Sequence, residues 1–456
     1  KTVRVTDLAV LKAPMTKVQA SDRPAGTVTG SGSGLVVENR AESQLATLRF
    51  RLKDVPMEAA EEAFDAGGRK VAAGSLIVMG GSRDRVAKAV EDLGLAAVSV
   101  AVRPSVKTHP VGVPRIALVH DWINTQNEGW WRIALDRYEV PYDYVSVHVI
   151  RDTADLRARW DVILYPPTGG ASVQRQITGL QTADAIPWKA SEKYPNLGGP
   201  DATDDMRGGL AFEGLANLRR FVETGGLLVA AGSSVSLPVA TGMVEAVEVA
   251  DGRGLQARGS VLRASLVDKG SPITYGYGDT LGVYFNQSPV LEAGPAVALG
   301  GARRFLELFG PSTQGRVSGR GGPKDPDIPQ GRPFVAAPEP PKSPPQSISD
   351  LPEEVLDFAR NLLPASDRLP RVVARFAKKD DLWISGMLDK GEELAEKAAI
   401  VDCPVGRGHV VLFANNPFWR AQTQGSHSLV FNALLNWDSL GVGRVAKDPQ
   451  EVLAPR

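Results

Sequence analysis

Four short strand-like runs constrain this chain most: RIALVH (115–120), YDYVSV (142–147), WDVILY (160–165) and LLVA (227–230). Between them lie stretches with helical spacing. In 129–138 the pattern suits a helix, and in 215–224 Leu215, Leu218, Phe221 and Val222 share one side. Short buried strands alternating with helices call for right-handed crossovers and a parallel sheet covered on both faces. The expected fold class is therefore α/β, a parallel sheet flanked by helices.

The fourth run opens into GGLLVAAGSSVSLP (225–238). A glycine pair ends the preceding helix, and Ala231-Gly232-Ser233-Ser234 makes a sharp turn of small residues. Such a strand-to-turn junction is where α/β enzymes present a nucleophile, at the carboxyl edge of the sheet. Ser233 or Ser234 could act with His427, which enters from a closing helix over 426–437, and with Asp121 as the acidic member. Contacts of about 3 Å would be required. The alternative is that both hydroxyls cap the turn and His427 is a first-turn helix residue.

Other candidates are read the same way. His120-Asp121 ends the first strand, and Glu128 follows, but the spacing of these three groups matches no metal motif; a polar strand end bonded to nearby loops is the alternative. Trp122, Trp130, Trp131 and Trp419 with Arg420 suit a shallow pocket for a peptide or sugar; core packing, with Trp130 and Trp131 straddling a helix and Trp419 over the sheet, is the other reading. Asp201, Asp204 and Asp205 lack the alternating oxygens of a calcium loop and read as a solvated loop. Cys403, the single cysteine, reads as a small apolar residue. Gly406–Gly408 reads as a hairpin turn and not as a phosphate cradle, because no helix starts after it.

The 456 residues suffice for two or three domains. Residues 1–34 read as linker or tail, with AGTVTGSGSG at 25–34. A small α/β domain is expected over 35–110. It has a helix near 39–53 with Leu45, Leu48 and Leu52 on one face, and a hairpin at Gly67-Gly68. A strand at 76–79, a helix at 83–93 with Val86, Val90 and Leu93 inward, and a strand at 98–102 complete it. The large domain covers 111–440, with a long loop insertion at 169–214. Residues 311–350 hold 10 of the 33 prolines and read as an exposed insertion. A helix at 352–363 and strands at 382–388 and 409–413 follow, and 441–456 reads as a tail. Lys+Arg and Asp+Glu are both 52, and that balance disfavours nucleic acid or an anionic membrane as partner. No apolar run approaches the roughly 20 residues of a membrane span. The opening Lys1, without a leader, reads as a processed or partial chain.

Three blocks carry a resemblance: PSVKTHPVGVPRIALVHDWINTQNEGWWRIALDRYEVPYDYVSV (104–147), SPITYGYGDTLGVYF (271–285) and GRGHVVLFANNPFWRAQTQGSHSLVFNALLNW (406–437). Together they resemble the region after the catalytic domain in large secreted bacterial zinc carboxypeptidase-like proteins of the M14 class. That region is similar to a class I glutamine amidotransferase-like (flavodoxin-like) domain. The resemblance implies secretion or a periplasmic location, and a partner zinc peptidase domain or chain. It also implies zinc in that other domain and no cofactor in this chain. The M14 zinc site is a His-x-x-Glu pair plus a distant His. Of the five histidines here, His109, His120, His148, His409 and His427, none has Glu three positions on. The amidotransferase nucleophile is a cysteine where Ser233 or Ser234 stands, and its His-Pro-Glu is Asn416-Pro417-Phe418 here. The expectation is a non-catalytic accessory or binding region. A cryptic serine hydrolase on the Ser233/Ser234 elbow with His427 is the alternative, as is a scaffolding module in a larger assembly.

Overall fold

The computed structural model describes residues 6–17, 24–298 (except 253, 288 and 296) and 367–444. The expected helix at 352–363, the insertion at 311–350 and most of the 441–456 tail lie outside them.

The four expected strands form as Ile116–His120, Asp143–Ser146, Val162–Tyr165 and Leu227–Ala231. A fifth, Gly408–Phe413, joins them. All five run parallel, and Asp143–Ser146 lies on one side of Ile116–His120 while Val162–Tyr165, Leu227–Ala231 and Gly408–Phe413 follow on the other. The first of these five strands in the chain is thus flanked on both sides. The helices Gln126–Arg137 and Ala211–Glu223 form on the periodicity read from the sequence.

The sheet is mixed where a parallel one was expected. Past Gly408–Phe413 it continues antiparallel through Ala398–Val405, Arg371–Phe376, Ser260–Leu266 and Thr280–Phe285. The turn at Gly406-Arg407 is the hairpin expected there, with Val405 opposite Gly408. Gly406 takes a φ of +60°, and a Cβ there would meet the Glu223 backbone at 2.6 Å. Within the antiparallel half, Arg371–Phe376 pairs with Ser260–Leu266 across 112 positions at Ala264↔Phe376, a pairing that no local pattern announces.

The smaller sheet holds six strands and takes in more of the N-terminus than expected. Thr27–Gly30, inside the expected linker, is a strand paired parallel to Ala96–Val100. The last strand spans 96–100 and not 98–102; Val102 is exposed. Helix Arg83–Leu93 buries Val86, Val90 and Leu93 as expected. The hairpin is shorter, Phe64–Ala66 against Arg69–Val71. Its two loop residues, Gly67 and Gly68, both have positive φ, the geometry that matches strand twist in a two-residue loop.

Helix Gln44–Arg51 docks this sheet on the closing helix His427–Leu435. Ser43 and Ser428 hydroxyls meet at 3.1 Å, and Asn432 Nδ2 donates to the Ile273 and Tyr275 carbonyls. One hydrophobic core runs through both sheets. Trp131 is fully buried in it, edge-on to Phe418 at 4.8 Å, with its Nε1–H donating to Asn416 Oδ1. Trp131→Ala removes a large buried ring and leaves Asn416 short of a donor. Urea denaturation is expected to read a loss of about 3–5 kcal/mol; a loss below about 1 kcal/mol would mean that the ring is not part of the core.

Candidate functional site

Where strand order reverses, the loops leaving two neighbouring strands diverge and open a crevice at their carboxyl ends. Here those strands are Ile116–His120 and Val162–Tyr165. A cavity of about 160 Å³ lies at that place, with Asp121, Trp122, Thr168, Gly169, Gly170 and Arg175 among its lining.

Each wall has a local cause. Asp121 Oδ1 accepts from the N–H groups of Ile123 and Asn124 at 2.8 and 2.6 Å, which turns the chain out of the strand toward helix Gln126–Arg137. Burial raises the Asp121 carboxyl above its ordinary range, and those two N–H groups, His120 and Arg175 partly offset the shift. On the other side Pro166-Pro167 ends the strand, and Gly169 and Gly170 follow with φ of +64° and +85°. Ser172 then caps the short helix Val173–Thr178 by accepting from the Arg175 N–H.

A chain of polar and aromatic contacts backs this edge. His120 stacks on Tyr144 with ring centroids 4.2 Å apart, and its Nε2 meets Asp201 Oδ2 at 2.9 Å. Tyr144 donates to Glu128 at 2.7 Å, so burial and that carboxylate raise the phenol while burial raises Glu128. Trp122 Nε1–H donates to His148 Nδ1 at 3.2 Å. His148 Nε2–H is therefore free to donate to the Arg207 carbonyl at 3.0 Å.

The serine triad does not assemble. Ser234 is fully buried; its hydroxyl donates to the Tyr165 carbonyl at 2.7 Å and accepts from the Ala231 N–H at 3.1 Å. Ser233 faces Thr168 at 3.3 Å. His427 is also fully buried, against Phe418 and Tyr138, and neither ring nitrogen has a hydrogen-bond partner among the described residues. Asp121 is held in its own turn. The reading of these groups as turn and helix residues is the one the geometry supports.

The expected aromatic pocket divides in two. Trp122 walls the cavity. Trp130 and Trp419 meet elsewhere at 6.4 Å, with Trp419 stacked on Tyr284 and Arg420 over its ring at 5.1 Å. Asp204 pairs with Lys189 and Asp205 with Arg207, while Asp201 crosses to His120. Among the described residues no three His, Cys, Asp or Glu side chains converge on a metal position. The histidines are dispersed: His109 on Asn436, His120 on Asp201, His148 on Trp122, His409 on Asp402 and His427 among rings. Cys403 is buried, which raises its thiol. No described helix is long and apolar enough to cross a membrane.

Sequence reasoning placed Asp121 and Trp122 at this edge but missed Arg175, Thr168, Gly169-Gly170 and the role of Asp201. The Pro-Pro-Thr-Gly-Gly run straight after a buried strand was the available signal for the second wall.

No protein-family model matches the chain, and no curated protein matches it. Solved structures match at low similarity. One is a cytoplasmic protein from Salmonella typhimurium, 12% identical, covering 70% of this chain and 97% of that one with a TM-score of 0.32. A β-galactosidase from Bacillus circulans is 10% identical, covering 73% and 32%, with a TM-score of 0.31. A thua-like protein from Bacteroides uniformis is 7% identical, covering 75% and 99%, with a TM-score of 0.28.

Two outcomes test the structural roles. Ser234→Ala strands the buried Ala231 N–H and is expected to cost about 1–3 kcal/mol, whereas Ser233→Ala is near neutral, both read by urea denaturation. Burial, then Arg137, lowers His427 to about 4 from its ordinary 6.5. Between those values the unfolded state holds the extra proton, so stability rises with pH across that window, by about 3 kcal/mol in all. In His427→Phe that contribution to the pH slope is expected to vanish; an unchanged slope would refute it.

Proposed function

We propose that this chain is a non-catalytic binding module, the accessory region of a secreted M14-type zinc carboxypeptidase-like protein, with a class I glutamine amidotransferase-like (flavodoxin-like) domain as its core. The zinc peptidase unit belongs to residues other than these. The strand order supports the domain assignment: counted along the chain the five parallel strands run 2-1-3-4-5, the order of flavodoxin-like sheets. The resemblance of 104–147, 271–285 and 406–437 supports the association with a zinc peptidase and an exported setting.

One observation carries the non-catalytic part. The serine at the buried elbow position spends its hydroxyl on the Tyr165 carbonyl, and His427, the candidate base, is sealed among aromatic rings. A nucleophile needs a base within hydrogen-bond reach, and neither serine has one among the described residues. What stays open at this edge is the cavity beside Asp121 and Trp122, the position where open α/β sheets bind ligands.

A fluorophosphonate probe tests the absence of catalysis. No labelling above that of heat-unfolded protein is expected; labelling that disappears in Ser233→Ala would establish a hydrolase instead. Peptide mass spectrometry of native material tests the association. Zinc-peptidase sequence is expected in the same chain or one bound to it, and material devoid of such sequence would defeat the accessory reading.

A further inference from the structure

The cavity carries two opposite charges that do not meet. Asp121 and Arg175 both line it and attract one another through space, yet no ion pair or hydrogen bond joins them. The Asp121 Oδ1 is used by the turn, and no described group donates to Oδ2. The Arg175 side chain is exposed and has no hydrogen bond, ion pair or ring partner among the described residues. The N–H groups of Gly169 and Gly170 likewise donate to no described residue. One side of the cavity thus offers an unclaimed carboxylate oxygen. The other carries a guanidinium, with the Gly169-Gly170 backbone beside it in the lining.

From this arrangement we infer that the cavity binds a free α-amino acid, with its ammonium on Asp121 and its carboxylate on Arg175 and the Gly169-Gly170 backbone. The assignment deepens the reading of this edge as a binding site and rests on it. A neutral ligand would displace water from both charges and return no charge in exchange, which penalises it. A simple amine or a simple carboxylate satisfies one group and leaves the other uncompensated. A zwitterion bridges the gap, and a guanidinium is suited to a carboxylate because its planar fork takes two oxygens at once. The size agrees. A cavity of roughly 150 Å³ accommodates a six-heavy-atom molecule, and the 160 Å³ here is of that order. Ammonium nitrogen, Cα, the three carboxylate atoms and Cβ make six. A short side chain fits within; a longer one must leave through the mouth. Trp122, behind the cavity and fixed by His148, gives Cβ an apolar wall.

Isothermal titration of the full chain with alanine, against methylamine, acetate and glucose as probes, tests the assignment. Alanine is expected to bind at least about tenfold more tightly than any of the three. Arg175→Gln, at an exposed position, is expected to keep the melting temperature and weaken alanine about tenfold or more. Asp121→Asn keeps the oxygen that caps the turn and is expected to weaken alanine similarly. The inference is overturned if glucose binds best, if acetate alone matches alanine, or if no amino acid gives heat up to millimolar concentrations. It is equally overturned if both variants bind as the parent does. Glucose binding would leave the non-catalytic binding reading intact, whereas ester hydrolysis lost in Ser233→Ala would remove that reading whichever ligand binds.

Discussion

A right-handed crossover from one strand to the next can lead to either side of the starting strand, but each side can be filled only once. In this chain the second strand takes one side of Ile116–His120 and the third takes the other. That choice determines where the loops part. The segment after Ile116–His120 goes one way into helix Gln126–Arg137, and the segment after Val162–Tyr165 goes the other way through Pro166-Pro167. The crevice between them follows from topology, before any side chain is considered. Asp121 and Thr168 stand on either side of it because each lies just beyond the carboxyl end of its strand.

The polar residues at the neighbouring elbow answer a different demand. The turn after Leu227–Ala231 is buried, so its backbone groups must find partners within the protein. Ser234 supplies one for the Ala231 N–H and ties the turn to the Tyr165 carbonyl on the adjacent strand. Gly232 takes a φ of +54°, and a Cβ there would approach Pro167 at 3.0 Å. A small residue followed by a short hydroxyl is therefore what this geometry asks for, with or without chemistry. The same sequence signature serves a reactive elbow and a structural one, and the surroundings of the base separate the two. His427 sits against Phe418 and Tyr138, and neither of its ring nitrogens has a hydrogen-bond partner among the described residues.

The legibility of the fold tracks how local its determinants are. Helix Arg83–Leu93 was readable to the residue because its apolar positions recur at helical spacing and Gly94, at φ +70°, stops it. The five strands of the parallel half were readable as short apolar runs. Thr27–Gly30 was not, since Gly, Ser and Thr around it have the composition of a linker; its strand character comes from pairing with Ala96–Val100, 69 positions away at Thr27↔Ala96. The pairing of Arg371–Phe376 with Ser260–Leu266 was out of reach for the same reason. At the site, Asp121 and Trp122 were legible because strand ends in α/β sheets face ligands. Arg175 was not, as it sits in an insertion whose short helix has no apolar period, and the bond from Asp201 to His120 spans 81 positions.

That insertion is part of the site and is held by two histidines. His120 receives it through Asp201, and His148 receives it through the Arg207 carbonyl. The second anchor depends on tautomer. Because Trp122 donates to Nδ1, the His148 proton resides on Nε2, where the carbonyl needs it. One neutral imidazole therefore links the apolar wall of the cavity to the loop beside it, and Gly208 and Gly209, next to that carbonyl, line the same cavity. Any displacement of Trp122 must break a hydrogen bond to the ring that also holds the loop. Wall and loop are consequently coupled through a single side chain, and the shape of the cavity is set by the loop after Ile116–His120, the helix that follows Asp143–Ser146 and the insertion acting together.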